Sequence, residues 1–372
     1  MVAAAFILNK LPTLRPFSPG QNVFFLLNPT PLPLCCMATL RHSEIAGVGH
    51  YVPSRVVKNA ELEPVMDTSD AWIQERTGIQ ERRWFEEGTD TTAGMGAHAA
   101  RKALEMAGLQ PADVQLIVFA TLSPDYFFPG SGVLLQRELG ITNNCPALDV
   151  RNQCSGFVYG LSVADQFVRT GMYDTVLVVG SEIHSSGLDK SPRGRGVSVI
   201  FGDGAGAVVL RPSTREGHGI LSTHLYSQGE FAEELIVKEP GSNREGRVDY
   251  AVEHTADMYP YMNGQNVFKH AVVRFPQVIK EALDQNGYQP ADLDLLVPHQ
   301  ANLRITQYVQ HKMGLADDKV FSNIQRYGNT TAASIPLALS EAVEQGKIKR
   351  GDLVCLAAFG SGFTWASALI KW

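Results

Sequence analysis

Apolar runs of strand length recur along the chain at Leu116–Leu122, Thr175–Gly180, Ala205–Leu210, Leu293–Val297 and Leu353–Ala358. They are nearly continuous in Val, Ile, Leu and Ala, without the polar alternation of a half-exposed sheet. This is the pattern of strands covered on both faces. Between several of these runs the apolar positions recur at helical spacing, over Thr92–Ala107, Gly156–Thr170, Ala271–Asn286 and Ile335–Gln345. Strands alternating with helices of this length predict βαβ units and an α/β fold from Ser43 onward.

One internal repeat organises this pattern. Ala103-Leu104, Gly108 and Gln110-Pro111-Ala112-Asp113 recur as Ala282-Leu283, Gly287 and Gln289-Pro290-Ala291-Asp292, and Leu116 and Val118 recur as Leu295 and Val297. The offset is 179 throughout. A weaker echo at offset 178 pairs Asp174 and Val176 with Asp352 and Val354, in what reads as the last strand. Helix–loop–strand units resemble one another by chance, because Gly ends helices and Pro-Ala-Asp makes turns. A constant offset over many positions favours duplication. The chain then divides into halves 37–213 and 214–372, and equivalent loops of the two halves meet at one central crevice. His299 follows the second copy's strand, at the end where ligands bind.

Residues 1–36 read differently. They hold only Lys10 and Arg15 as charges, no acidic residue, and six of the chain's 20 prolines. That density opposes both helix and central strand. A secretory signal fits poorly, since Val2–Leu8 is short and Lys10 follows it. The expectation is an unstructured or non-native extension with Met37 as the working start.

Composition narrows the function. A hydrophobic fraction of 44% over 372 residues supports a substantial core, and a net charge of −6 disfavours bulk electrostatic binding of nucleic acid. No apolar run of about 20 residues predicts a membrane span. The five cysteines are irregularly spaced, with no CxxC and no HExxH, so neither a disulfide framework nor a metal site is expected. A reducing, cytoplasmic setting fits.

Three stretches carry chemistry. In Asp149–Phe157, Cys154 sits on a strand-to-helix turn, where a helix N-terminus favours thiolate; the alternative is a buried structural cysteine. In Leu295–Asn302, His299 ends a strand after Pro298, as a general base, a donor or a satisfied structural histidine. In Tyr327–Ser334, Asn329 lies on a Gly-Asn turn before a helix. Its amide could stabilise negative charge, or merely cap the turn.

Taken together, Cys154, His299, Asn329 and the run Phe359-Gly360-Ser361-Gly362-Phe363-Thr364-Trp365 resemble the thiolase-like condensing enzymes, and within them beta-ketoacyl-acyl carrier protein synthase III. The resemblance runs from about Ile45 to Trp372 and includes Asp67–Ile73, Arg76–Ile79, Phe201–Ala207, Val297–Arg304 and Gly328–Ser334. It implies a layered α-β-α-β-α sandwich of two duplicated halves. It also implies a Cys-His-Asn triad that condenses an acyl-coenzyme A primer with malonyl-acyl carrier protein, initiating fatty-acid synthesis without a cofactor. The implied oxyanion donors are the backbone N–H groups of Cys154 and Ser361, the latter standing where the family usually has glycine. Trp72, Arg76, Arg195 and Asn302 match coenzyme A contacts. Phe128, Phe157 and Phe359 match the acyl pocket, with Phe128 reaching across a homodimer. Lys269, Arg304 and Lys312 match a basic patch for the acidic carrier protein. Two other functions remain open: a polyketide- or alkylquinolone-type condensing enzyme, and an inactive thiolase-fold binding subunit. Primer length and branching are open too, since the Gly- and Ser-rich loop Ile183–Gly194 is longer than the pattern.

Overall fold

Strands without polar alternation need cover on both faces, and the computed structural model provides it in five layers. It describes residues 41–372 apart from 244, 249–250 and 252–255, so the extension expected over residues 1–36 lies outside the described residues. The elements are β1 (Ser43–Tyr51), β2 (Val56–Lys58), α1 (Asp70–Thr77), β3 (Glu81–Arg83), α2 (Thr92–Ala107), β4 (Leu116–Ala120), α3 (Ser131–Leu139), β5 (Ala147–Val150), α4 (Gly156–Arg169), β6 (Val176–Glu182), β7 (Gly204–Pro212) and β8 (Gly219–Ser227). They continue with β9 (Leu235–Ile236), β10 (Tyr261–Met262), α5 (Gly264–Gln285), β11 (Leu295–Pro298), α6 (Leu303–Met313), α7 (Ile324–Tyr327), α8 (Ser334–Glu344), β12 (Leu353–Gly360) and β13 (Thr364–Lys371).

Two sheets form the frame, a five-stranded one in the order β1-β7-β6-β4-β5 and a four-stranded one in the order β11-β12-β13-β8. Successive side chains of a strand point to opposite faces. Val118, Val176, Val178, Val208 and Leu210 of the first sheet therefore join Val354, Leu356 and Ala358 of the second in one apolar cluster, around helices α4 and α8 between the sheets. Their neighbours Ile117, Phe119, Leu177 and Val179 face outward onto α2 and α3. Cys355, Ala357 and Phe359 likewise face α5 and α6. The layers are thus helix, sheet, helix, sheet, helix, as the thiolase-like fold requires.

The sequence repeat is visible in hydrogen bonding. Gln110 N–H donates to the Asp113 carboxylate at 2.8 Å, and Gln289 N–H to Asp292 at 2.7 Å. Each turn delivers the chain into a strand flanked in parallel by a later one. Leu116 of β4 faces Val176 of β6, and Leu295 of β11 faces Val354 of β12. These four residues are the ones the two offsets equate.

Two expectations about elements need correction. Helix α5 begins at Gly264, seven residues before Ala271, because Asn263 caps it and accepts from Asn266 N–H. Its first turns carry Gln265, Asn266, Lys269 and His270, which blur the apolar stripe. The strand from Leu353 is followed by β13, so it is not the last; Thr364-Trp365-Ala366-Ser367 hides that strand behind small and polar residues. No helix among the described residues is long and apolar enough to cross a membrane.

Candidate active site

Strand β5 ends at Val150, and a single 3-10 turn over Gln153–Ser155 carries the chain into α4. Cys154 sits on that turn with 7% of its surface exposed. Gly360, at the end of β12, packs directly against it: a Cβ there would lie 2.5 Å from Cys154 Cβ and 3.0 Å from its sulfur. Glycine is required for that approach. The backbone N–H groups of Ser361 and of Cys154 itself act on the sulfur in the sense that favours thiolate.

The helix start was expected to favour thiolate. Instead burial, with a smaller contribution from the nearby Glu182 carboxylate, pushes the Cys154 thiol up to about 12. Desolvation outweighs both N–H donors, so the resting form is the neutral thiol and attack requires a proton acceptor.

His299 provides one. It follows β11 and its N–H donates to Ala357 O of β12 at 2.8 Å. Ring Nδ1 lies 2.6 Å from Ser334 Oγ, while Nε2 is buried without a hydrogen-bond partner among the described residues. Burial pulls its pKa down to about 3, so the ring is neutral near pH 7. The Ser334 hydroxyl donates to or accepts from Nδ1, so both tautomers of His299 are supported.

Asn329 is fixed by backbone on both sides: its N–H donates to Ile200 O at 2.9 Å, and its carbonyl accepts from Gly202 N–H at 3.1 Å. Gly328 before it has φ 64°, and a Cβ there would come within 2.6 Å of Ile200 O. Asn329 Oδ1 accepts from Thr331 N–H at 2.8 Å. That bond leaves the Nδ2 donors for the cavity.

Cys154, His299 and Asn329 line one cavity of about 480 Å³, which leads outward past Trp72, Arg76, Asn302 and Arg304. A second cavity of about 800 Å³ shares Cys154 and lies on its other side, against Leu122, His184, Leu188 and Thr331. Phe201 and Leu235 border both. The sulfur therefore stands where the two cavities meet; the one running past Trp72 is termed the outer passage, and the one beside His184 the inner chamber.

The remaining expected residues fall in several places. Trp72 is on α1, whose N-cap Ser69 accepts from Trp72 N–H at 3.2 Å. The Arg195 and Arg76 guanidinium carbons lie 4.3 and 4.9 Å from its ring centroid. The Asn302 amide donates to Arg76 O and accepts from Arg304 N–H, both at 2.9 Å, and keeps a second Nδ2 hydrogen. It ties α6 to α1 at the cavity mouth. Phe359 lines the outer cavity. Phe157 lines neither cavity, because its position on the first turn of α4 sends the ring into the core between the sheets. Phe128 is 77% exposed and also lines neither. Lys269 and Lys312 are exposed and away from both cavities, whereas Arg304 reaches the mouth. The Ser361 hydroxyl, expected near a bound thioester, instead donates to Leu235 O of β9 at 2.6 Å.

Sequence reasoning missed several residues. Ser334 stands in the quoted run Gly328–Ser334 but without a role. Glu182, at the end of β6, accepts from Thr121 Oγ1 and from Leu122 and Ser123 N–H at 3.1 Å, and from Ser123 Oγ at 2.5 Å. Burial raises its carboxyl to about 7. Val267, Phe268, Ala271 and Phe275 of α5 form an apolar wall of the outer cavity. The i, i+4, i+8 spacing of Val267, Ala271 and Phe275 was the available signal.

Comparison with known proteins identifies this arrangement. Residues 148–229 match the family described as 3-Oxoacyl-[acyl-carrier-protein (ACP)] synthase III, and residues 283–372 match its C-terminal domain. The chain is 46% identical over 330 residues to Beta-ketoacyl-[acyl-carrier-protein] synthase III 1 of Vibrio vulnificus, covering 89% of this chain and 99% of that one. It is 47% identical over 331 residues, with the same coverage, to Beta-ketoacyl-[acyl-carrier-protein] synthase III of Aliivibrio fischeri. The crystal structure of 3-oxoacyl-[acyl-carrier-protein] synthase III from Aquifex aeolicus superposes with a TM-score of 0.81 at 41% identity, over 89% of this chain and all of that one. The chain belongs to the beta-ketoacyl-acyl carrier protein synthase III family and is a condensing acyltransferase of thiolase-like fold.

Proposed function

We propose that Cys154, His299 and Asn329 carry the family's condensation in this chain, joining an acyl-coenzyme A primer to malonyl-acyl carrier protein. One observation supports it most: a buried thiol with two backbone N–H donors shares a cavity with an unpartnered histidine Nε2 and a fixed amide.

The acyl-coenzyme A thioester enters along the outer passage, with Trp72, Arg76 and Arg195 at the nucleotide end. Cys154 sulfur attacks the carbonyl carbon while its proton passes to His299 Nε2. The tetrahedral oxyanion lies between the N–H groups of Cys154 and Ser361. When the carbon–sulfur bond to coenzyme A breaks, His299 returns the proton to the departing sulfur. The acyl group remains on Cys154 and occupies the inner chamber.

Malonyl-acyl carrier protein then enters by the same passage, its carrier docking near Arg304 with Lys269 and Lys312 as flanking charges. Between the two substrates the ring exchanges protons with solvent through the cavity, losing the Nδ1 hydrogen and gaining one on Nε2, and the Ser334 hydroxyl turns to donate to Nδ1. Loss of carbon dioxide leaves the bonding pair on the α-carbon and the thioester oxygen. His299 Nε2–H and Asn329 Nδ2–H donate to that oxygen as charge grows. The carbanion attacks the acyl-Cys154 carbonyl and the carbon–sulfur bond breaks, giving a 3-oxoacyl-acyl carrier protein and a Cys154 thiolate that takes one proton from solvent to restore the thiol.

The finer features of this reading are a division near residue 213 into a Cys154 half and a His299–Asn329 half, a homodimer, and cytoplasmic work without a cofactor. Tyr126, Phe127 and Phe128 are consecutive aromatics with 59%, 57% and 77% exposure, which supports burial against a second copy. The relatives' shared synthase III name favours the carrier-dependent reaction over polyketide or alkylquinolone chemistry. The intact thiol, histidine and amide disfavour an inactive binding subunit.

Weighing the intact protein after acetyl-coenzyme A, then after malonyl-acyl carrier protein, tests the sequence of steps. The expected result is an added acetyl group on Cys154, discharged by the second substrate with release of carbon dioxide. A mass increase that survives in Cys154→Ala would overturn it.

A further inference from the structure

We propose that His184 is a positioning residue for Asn329, acting through the Thr331 hydroxyl. The proposal rests on the reading of Asn329 as an enolate donor and adds a residue to it.

The amide of Asn329 must present nitrogen, not oxygen, to the forming enolate. Its backbone is clamped by Ile200 and Gly202, but one contact sets the direction of the side chain: Oδ1 accepts from Thr331 N–H. A backbone N–H only donates, so this contact requires the oxygen end. Rotating the amide by a half turn would aim an acceptor at the enolate and replace attraction with repulsion.

Thr331 is therefore the part that must hold still, and it is under strain. Its φ is +49°, a left-handed conformation that β-branched residues rarely adopt. Conformations of this kind persist only where the surroundings over-determine them. The side-chain tie is to His184: Thr331 Oγ1 lies 2.5 Å from His184 Nε2.

His184 is itself fixed. Its backbone N–H donates to Asp203 Oδ1 at 2.7 Å, and its ring packs on Phe201 with centroids 4.8 Å apart. Phe201 in turn pairs with Asn329 through an isolated β-bridge. The histidine, the threonine and the asparagine thus close a loop anchored on Phe201-Gly202-Asp203. Burial pulls the His184 pKa down to about 4, so a neutral ring makes the bond near pH 7. The histidine and threonine both line the inner chamber beside Cys154, so the relay reaches Asn329 from the acyl side.

The test uses the full chain and reads the two half-reactions separately: acyl-enzyme mass with acetyl-coenzyme A, and carbon dioxide release from malonyl-acyl carrier protein. His184→Leu should slow decarboxylation by on the order of 10²-fold, the scale of a misplaced catalytic group. Acylation should fall far less than decarboxylation, since no step of it uses the amide. His184→Gln, which returns a nitrogen near the Nε2 position, should recover most of the loss. Thr331→Val removes the hydroxyl while keeping the side chain's shape, and should show the same split even if His184→Leu folds poorly. Combining His184→Leu with Asn329→Ala should add nothing to Asn329→Ala alone. Equal losses in both half-reactions, no loss of decarboxylation, or a further full loss in the combined variant would overturn the relay. Normal decarboxylation in Asn329→Ala alone would overturn the assigned role of Asn329, and the relay with it.

Discussion

The ends of the two sheets occupy equivalent places and finish differently. At the repeat offsets, Ala120 at the end of β4 corresponds to His299 after β11, and Glu182 at the end of β6 corresponds to Gly360 at the end of β12. At the end of the five-stranded sheet, Glu182 is surrounded by the donors of Thr121, Leu122 and Ser123. That polar knot is closed. At the end of the four-stranded sheet a buried Nε2 has no partner, and a bare glycine lets Cys154 approach the strand. A buried polar atom without a partner costs about 1–3 kcal/mol of desolvation. Such atoms persist where a substrate will satisfy them. Cys154 belongs to the chain of the first sheet but reacts at the open end of the second.

The strongest way to break this comparison is to remove the sulfur. Cys154→Ala should abolish acyl-enzyme formation from acetyl-coenzyme A, because no other cysteine among the described residues lines either cavity. Decarboxylation of malonyl-acyl carrier protein should persist, since the donors of the second sheet remain. Intact mass and carbon dioxide release measure the two outcomes. Loss of both activities in a folded variant would mean that the two sheet ends are not separable in function.

Removing a donor from the open end comes next. Asn329→Ala should lower decarboxylation by on the order of 10²–10³, the measured scale for an oxyanion donor. Acylation by acetyl-coenzyme A should be nearly intact. His299→Ala should slow both steps, because Nε2 accepts the thiol proton in one and donates in the other. An Asn329→Ala protein that decarboxylates normally but fails to acylate would reverse the assignment.

The same contrast explains what was legible in the sequence. Strands β4, β6, β7, β11 and β12 were readable because burial on both faces leaves unbroken apolar runs. The candidate triad was readable because each member lies at a strand end or turn with a recognisable local pattern. Helix α5 was read short because its first turns present polar residues beside the passage. Phe157 was matched to the acyl pocket by resemblance alone, but its place on the first turn of α4 sends its ring into the core. The partners Ser334, Thr331 and His184 were illegible for another reason: each acts through a contact whose register only the folded sheets define. Asn302 shows the limit from the other direction. Its type and position suit a ligand contact, and its amide also ties α1 to α6, a second task that the sequence pattern does not display.

Stability against pH sharpens the comparison further. His299 and His184 have folded pKa values near 3 and 4, below the unfolded value of about 6.5. Between those values the unfolded chain binds more protons, so stability is fully present above about pH 6.5 and is lost as pH falls through 4 toward 3. Glu182 has the opposite sign. Its folded value near 7 exceeds the usual carboxylate range, so it opposes stability increasingly as pH rises from about 4.5 to 7. The lowered histidines favour a rise in melting temperature from pH 4 to 6.5, which Glu182 and the burial-raised carboxyls of Asp149, Asp165 and Asp203 oppose. His299→Gln should flatten that rise by removing the larger histidine shift. An unchanged slope would mean that His299 is not buried neutral.

At the outer passage the expected effect is smaller. Trp72→Ala should raise the acetyl-coenzyme A concentration needed for half-maximal acylation roughly tenfold, because stacking on an aromatic is worth about 1–3 kcal/mol. Discharge of a preformed acyl-enzyme by malonyl-acyl carrier protein should change little. Equal losses in both measurements would make Trp72 a packing residue of α1.

The smallest effect concerns Ser361, whose backbone and side chain face different tasks. Its N–H points at the Cys154 sulfur, while its hydroxyl holds Leu235 of β9, a residue bordering both cavities. Ser361→Ala keeps the N–H and loses only the hydroxyl. A net hydrogen bond contributes about 0.5–1.5 kcal/mol, so a drop of a few degrees in melting temperature is expected. Ser361→Gly should lose slightly more, since glycine also widens the freedom of the unfolded chain. The rate of acylation should fall less than threefold in both, because the oxyanion donor is backbone. The measurement that decides is primer preference. If the hydroxyl sets the position of β9 over the inner chamber, both variants should lose discrimination between short and long acyl-coenzyme A thioesters while keeping their acetyl rate. A large fall in the acetyl rate instead would show that the hydroxyl, and not only the amide, acts at the open end of the second sheet.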